Sequence, residues 1–178
     1  MLYAFGFERY GVVVGDLYHL DPNPRKGQEG PERGVRLELR VLERGKLRGG
    51  IYSAQPIEVD QPVWRVDLLE SVAGPPGSFD RTHHHPAFRG WEPGRRVFVK
   101  ELSADPVVWL GARLSDLPGI LEQAGVDKHD CDEADAEALR ASVPEILDAV
   151  QRLLGKVHAG ALAVAPDEQA ASVRTGWL

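Results

Sequence analysis

Three consecutive histidines, His83, His84 and His85, lie in the stretch 80–91 and are the residues of this sequence best equipped for chemistry. In an extended chain successive side chains point to opposite faces, so His83 and His85 share one face and His84 takes the other. Two neutral imidazoles one pleat apart can hold a divalent metal cofactor, with Zn, Fe, Ni, Mn or Cu suited to nitrogen donors at about 2 Å. A third ligand has to come from a neighbouring strand. Asp67 is the preferred candidate, because it lies mid-strand on a face that also carries Arg65, whereas Asp80 and Glu92 are less well placed. The metal set read from the sequence is His83, His85 and Asp67.

The same residues support chemistry without a metal. An unperturbed His, with a pKa of about 6.5, exchanges protons at neutral pH. That makes His83, His85, Arg65 and Asp67 a candidate catalytic set. Arg81, Arg89, Arg95 and Arg96 crowd the same span and are candidates for gripping a small anionic ligand, a phosphate or carboxylate, bidentately. Such a site could cleave a small RNA substrate as a toxin-like RNase does, one His taking the 2′-hydroxyl proton and an Arg stabilising the charged transition state. A purely structural role also accounts for the types present. A His before Pro86 can hydrogen-bond a loop carbonyl, and the arginines can pair with Asp and Glu across the sheet.

The spacing Gly77-x5-His83-x-His85 is similar to the opening of the first cupin motif, in which a glycine precedes an HxH pair on a barrel strand. That resemblance implies a metal held by the two histidines inside a β-barrel. The match covers this short stretch only. Glu92 comes later than the motif's glutamate, the second cupin motif is absent, and the chain turns helical where barrel strands should continue.

Strands are needed to hold these side chains, and the first hundred residues carry strand patterns. Residues 2–7 and 10–18 are aromatic and β-branched, with Glu8-Arg9 short enough for a hairpin connection. Residues 21–34, with two Asp/Asn-Pro pairs and several glycines, predict a loop. In 35–43, Val35, Leu37, Leu39 and Val41 face a core while Arg36, Glu38 and Arg40 face water. Further strands are predicted over 51–59, 63–70, 79–88 and 95–100, with Pro56 marking an edge or bulge. Within 63–70, Trp64, Val66 and Leu68 lie on one face, and Arg65 and Asp67 on the other.

Beyond residue 102 the period changes to 3.6. Asp105 caps a helix with Pro106 in its first position, and Val107, Leu110, Leu114 and Leu117 form one face. A short helix starts at Asp116 or Leu117 and stops at Gly125. Asp130 with Glu133, and Ser142 with Glu145, fit capping boxes, the second opening a helix striped by Ile146, Val150, Leu153, Leu154 and Val157. Strands followed by helices predict an α+β fold: an antiparallel N-terminal sheet of about six to seven strands with C-terminal helices packed on one side. The expected organisation is a single domain over 1–160, with strands in 1–100 and helices in 105–158. A loosely held tail follows over 161–178, unless Trp177 docks it.

Length and composition bound the function. A chain of 178 residues, 43% hydrophobic and 27% charged, is expected to fold as one domain. A net charge of −6 argues against a surface that tracks nucleic acid, so a small RNA substrate is the one nucleic-acid partner entertained. No stretch reaches the roughly 18–20 apolar residues that span a bilayer, and no basic-then-apolar leader opens the chain, so no membrane partner is expected. One cysteine, Cys131, allows no intrachain disulfide, which fits a cytoplasmic location, and its acidic setting is poor for a nucleophile. His129 and His158 lie near helix ends, where the helix dipole explains them. P-loop, GxGxxG, CxxC and GxSxG motifs are all missing.

Three readings stay open. One is a metal- or small-anion-binding domain, catalytic or not, centred on His83 and His85. Another is a non-enzymatic interaction module or homodimer, whose acidic helices, with Asp132, Glu133, Asp135 and Glu137, meet a basic protein partner. The third is the metal-independent RNase.

Overall fold

The computed structural model describes residues 1–127 and 132–165. Five strands form one antiparallel sheet in sequence order: β1 (Leu2–Gly6), β2 (Tyr10–His19), β3 (Glu32–Arg44), β4 (Ile57–Ser71) and β5 (His83–His85). A separate two-stranded ribbon joins β6 (Phe88–Arg89) to β7 (Glu92–Pro93). Four helices follow: α1 (Lys100–Ala104), α2 (Pro106–Leu114), α3 (Leu117–Ala124) and α4 (Glu133–His158). The architecture is α+β, as the change of hydrophobic period near residue 102 predicts. No described helix is long and apolar enough to cross a membrane.

Period-two alternation divides the sheet into an apolar and a polar face. Tyr10, Val12, Val14, Val35, Leu37, Leu39, Trp64, Val66 and Leu68 are buried in a cluster with Leu110, Leu114, Ile120, Leu139, Ile146, Val150, Leu153 and Val157 of the helices. Each fully buried Val or Leu contributes about 1.5–3 kcal/mol, so this layer dominates stability. On the opposite face the register aligns Arg36 with Asp67 and His83, and Glu38 with Arg65 and His85. Two transverse rows of charged and titratable groups thereby cross three strands.

Several boundaries differ from expectation for identifiable reasons. The strands predicted over 51–59 and 63–70 are one long strand, Ile57–Ser71, while 51–53 form a turn. Pro62 has no N–H for the ladder, and the register shifts around Arg40, its partner, absorb it. Glu32, Arg33 and Gly34 belong to β3 and not to the preceding loop. Gly34 is required there, since a Cβ would collide with the Leu68 carbonyl. β5 keeps only three residues of the predicted 79–88, because a turn closes from the Thr82 amide to the Phe79 carbonyl (3.1 Å) and Pro86 cannot extend the pairing. Residues 95–100 form no strand. Val97 makes an isolated bridge with His84, and α1 begins at Lys100.

The helix caps at Asp105 and Asp116 form as expected, their carboxylates accepting from the Val108 and Gly119 amides at 3.1 and 3.0 Å. Gly125 ends α3 with a left-handed φ of 75°. Ser142, however, caps nothing, because α4 runs unbroken through Pro144. An internal proline costs about 3 kcal/mol. The buried stripe from Leu139 through Val157 outweighs it. Asp132 caps α4, accepting from the Ala134 amide at 3.0 Å, while Asp130 lies outside the described residues. The start of the expected tail is held: Ala163 is buried and its amide donates to Asp16 Oδ2 at 3.1 Å. Trp177 lies outside the described residues.

Asp135, one of the acidic residues offered to a basic protein partner in the interaction-module reading, is fully buried. Its carboxylate accepts from the Glu8 amide at 2.9 Å and the Arg9 amide at 3.2 Å, tying α4 to the β1–β2 turn. Asp135→Ala removes the acceptor for both amides and should destabilise the fold by about 1–3 kcal/mol, read as a lower urea midpoint at unchanged m-value. A midpoint equal to the parent's would contradict this role.

Candidate metal centre

The parity of β5 places His83 and His85 on the polar face and His84 in the core. His84 Nδ1 accepts from Trp64 Nε1 at 3.3 Å, and its ring lies 5.3 Å from the Trp109 ring. His84 is therefore protonated on Nε2 when neutral, and serves packing. His83 and His85 adopt the other tautomer. Their Nδ1 atoms each lie 2.8 Å from a backbone carbonyl, of Arg81 and Gly94 respectively. A carbonyl only accepts, so each Nδ1 carries the proton and each Nε2 presents a lone pair.

Both lone pairs converge on Asp67. Its Oδ2 lies 3.4 Å from His83 Nε2 and 3.7 Å from His85 Nε2, and the three atoms fall within 4.8 Å of one another. Ligand atoms bound at about 2.0–2.2 Å in a tetrahedral site sit roughly 3.3–3.6 Å apart, close to the two carboxylate–imidazole separations. The Asp–His–His group could hold a metal ion, with its three ligands taken from the adjacent strands β4 and β5. His83 Nε2 is buried with no hydrogen-bond partner, and facing a carboxylate oxygen it has no donor to accept from.

Arg36 fixes the carboxylate, donating from Nε to Oδ1 at 2.7 Å and from Nη2 to Oδ2 at 3.4 Å. Arg65 Nε lies 3.0 Å from Oδ2 without the alignment of a hydrogen bond, and its Nη2 donates to His85 Nε2 at 2.9 Å. Phe98 covers His83 at 5.4 Å between rings, and Phe88 covers His85 at 6.3 Å. All three potential ligands are consequently buried, at 1% exposure for Asp67, 2% for His83 and 3% for His85.

Burial opposes ionisation of Asp67, but the Arg36 and Arg65 guanidiniums, the Arg36 hydrogen bond and His83 together hold its carboxyl well below the usual carboxylate range. Burial also lowers the pKa of His83, against the pull of Asp67. His85 is lowered to about 4 by burial and by Arg65, and His84 to about 4 by burial and by Arg113. At neutral pH the group thus consists of one carboxylate and two neutral imidazoles, the protonation state that metal ligation requires.

Of the residues singled out from sequence, Arg65, Asp67, His83 and His85 come together. The four flanking arginines do not join them as one grip. Arg81 is spent on the Gly27 carbonyl and Asp80, Arg96 pairs with Asp21 at 3.5 Å, and Arg89 and Arg95 are exposed. Arg36 is the participant that sequence reading missed. Its alternation in β3 was visible, but it pointed to water, whereas Arg36, Glu38 and Arg40 are half-buried and ion-paired. Comparison with protein-family models, curated proteins and solved structures found no match. The sheet is open-edged and helix-backed, without the barrel of the cupin resemblance.

His84 and His85 bind protons in the unfolded chain from about pH 6.5 downward, but in the folded chain only near pH 4. Folding stability should therefore decline as pH falls from about 6.5 towards 4, by on the order of 1.4 kcal/mol per pH unit for each histidine. Urea midpoints measured between pH 7 and 4.5 test this, and a flat profile would contradict it.

Proposed function

We propose that this protein binds one divalent transition-metal ion through Asp67, His83 and His85. The observation that carries the proposal is the orphaned lone pair of His83 Nε2, buried 3.4 Å from an ionised carboxylate oxygen. Without a cation between them two electron-rich atoms face each other, and a metal ion satisfies both. The backbone carbonyls on each Nδ1 supply the orienting partners that metal-bound histidines usually have. The N,N,O donor set suits Zn, Fe, Mn or Ni. With only three protein ligands the ion keeps a position for water or a small anionic ligand, as catalytic sites do and closed structural sites do not. Arg36, with its side chain 30% exposed beside the carboxylate, is placed to meet such an anion.

The other readings have less support. RNA cleavage by histidine needs an accessible ring that holds a proton near neutrality, and His85 is buried with a pKa of about 4. For an acidic interaction module, Glu133 and Glu137 do line an open groove with Pro118 and Ala136, but Arg140 shares it, and Asp135 is withdrawn to the β1–β2 turn.

Elemental analysis of protein purified without a histidine tag should find close to one metal ion per chain. His83→Ala and His85→Ala should each weaken Zn²⁺ binding by about a hundredfold or more while circular dichroism stays native. Because the ligands are already deprotonated at neutral pH, affinity measured by titration should be nearly constant between pH 7 and 8. Absence of both co-purified metal and Zn²⁺ binding would refute the proposal.

A further inference from the structure

The guanidinium of Arg65 occupies the place where a metal ion would need to act. Its Nη2 takes up the His85 Nε2 lone pair at 2.9 Å, and its Nε lies against Asp67 Oδ2 at 3.0 Å. Two of the three ligand atoms are thereby engaged by one side chain. The third, His83 Nε2, is the one left without a partner. A divalent ion cannot take His85 Nε2 while Arg65 donates to it, and a guanidinium within a few ångströms repels the ion through a poorly screened medium.

An alternative partner for Arg65 is built into the adjacent strand. Glu38 pairs in register with Arg65, and its Oε1 lies 4.0 Å from Arg65 Nη1, beyond hydrogen-bond reach in the present arrangement. Its Oε2 is bound by Arg40 Nη1 at 2.6 Å, which fixes the carboxylate. A small rotation of the Arg65 side chain towards Glu38 would close that contact, free His85 Nε2, and leave Asp67 Oδ2 with only its long hydrogen bond from Arg36 Nη2 at 3.4 Å. Phe88, whose ring stacks 5.8 Å from the Arg65 guanidinium, gives the side chain a flat surface along which to move. Asp67 keeps Arg36 as a counter-charge throughout, so its carboxylate is not stranded.

We propose that Arg65 is an exchangeable internal cation that holds the Asp67–His83–His85 site closed, and that metal entry is coupled to transfer of Arg65 onto Glu38. This rests on the metal-binding reading of the site and adds a device that sets its affinity. The closed form accounts for the one ligand atom left without a partner: Arg65 reaches two ligands of the three, and only an ion can reach all of them. Apparent affinity in the parent protein is then the intrinsic affinity reduced by the fraction of molecules in which Arg65 has moved.

The test is calorimetric titration of Zn²⁺ into the full chain and into Arg65→Met, Arg65→Lys and Glu38→Gln. Arg65→Met keeps the length of the side chain and removes the competing charge, so it should bind Zn²⁺ at least about tenfold more tightly than the parent. Glu38→Gln removes the receiving carboxylate and should weaken binding several-fold while leaving all three ligands in place. Arg65→Lys, still cationic, should stay below Arg65→Met. A parent that binds measurably, but more weakly than Arg65→Met, supports the proposal. Equal or weaker binding by a folded Arg65→Met overturns it. Should Arg65→Met fail to fold, unchanged or tighter binding by Glu38→Gln overturns it instead. Failure of every folded variant and of the parent to bind Zn²⁺ is a separate result, which removes the metal site itself.

Discussion

A carboxylate withdrawn from water must be given back its counter-charge and its hydrogen bonds, and Asp67 is such a group in the middle of the sheet. Removing an ion from water costs several kcal/mol even after a protein relaxes around it. Here the compensation comes from Arg36 on the neighbouring strand β3, with Arg65 two residues away on the same strand. The arrangement works only in one register. A slip of one residue between β3 and β4 would set Leu37 or Val35 against Asp67 and turn its counter-charge into the core. The pairing of β3 with β4 is thus tied to the electrostatics of one side chain as much as to the apolar face beneath it.

That apolar face and the polar one share the same three-residue strand. Of three successive histidines, the middle one locks to Trp64 under the helices, and the outer two are held by carbonyls with their lone pairs inward. Burial keeps all of them neutral, and this common effect has opposite uses. For His84 neutrality permits packing among Trp64 and Trp109. For His83 and His85 it leaves basic nitrogens ready beside an ionised carboxylate.

Much of this was legible from residue types and spacing. Alternation in 35–43 and 63–70 separates the core residues from Arg65 and Asp67, and the parity of the histidines assigns each to its face. What alternation cannot supply is how one strand lies against the next. Arg36 therefore read as a residue facing water, although its register partner is Asp67. The acceptors that fix the tautomers of His83 and His85 are backbone oxygens of Arg81 and Gly94, and a backbone oxygen has no sequence signature. The strand break expected before residue 63 and the helix start expected at Ser142 are absent, and the chain runs on through Pro62 and Pro144. Each breaks a local rule, and each is tolerated because buried contacts formed over long separations outweigh the local loss. The four arginines near the histidines were close in sequence only, and the turn at Phe79 and the β6–β7 ribbon send them in different directions.

The claim on which the account depends is that His83 and His85 are neutral, protonated on Nδ1 and unprotonated at Nε2. Long-range ¹H–¹⁵N correlation of the imidazole rings at pH 7 reports this directly. The account predicts unprotonated Nε2 in His83 and His85, the opposite tautomer in His84, and, on adding Zn²⁺, a change confined to the two outer rings. An imidazolium or an Nε2–H form at His83 or His85, or a metal-induced change at His84 alone, would contradict it.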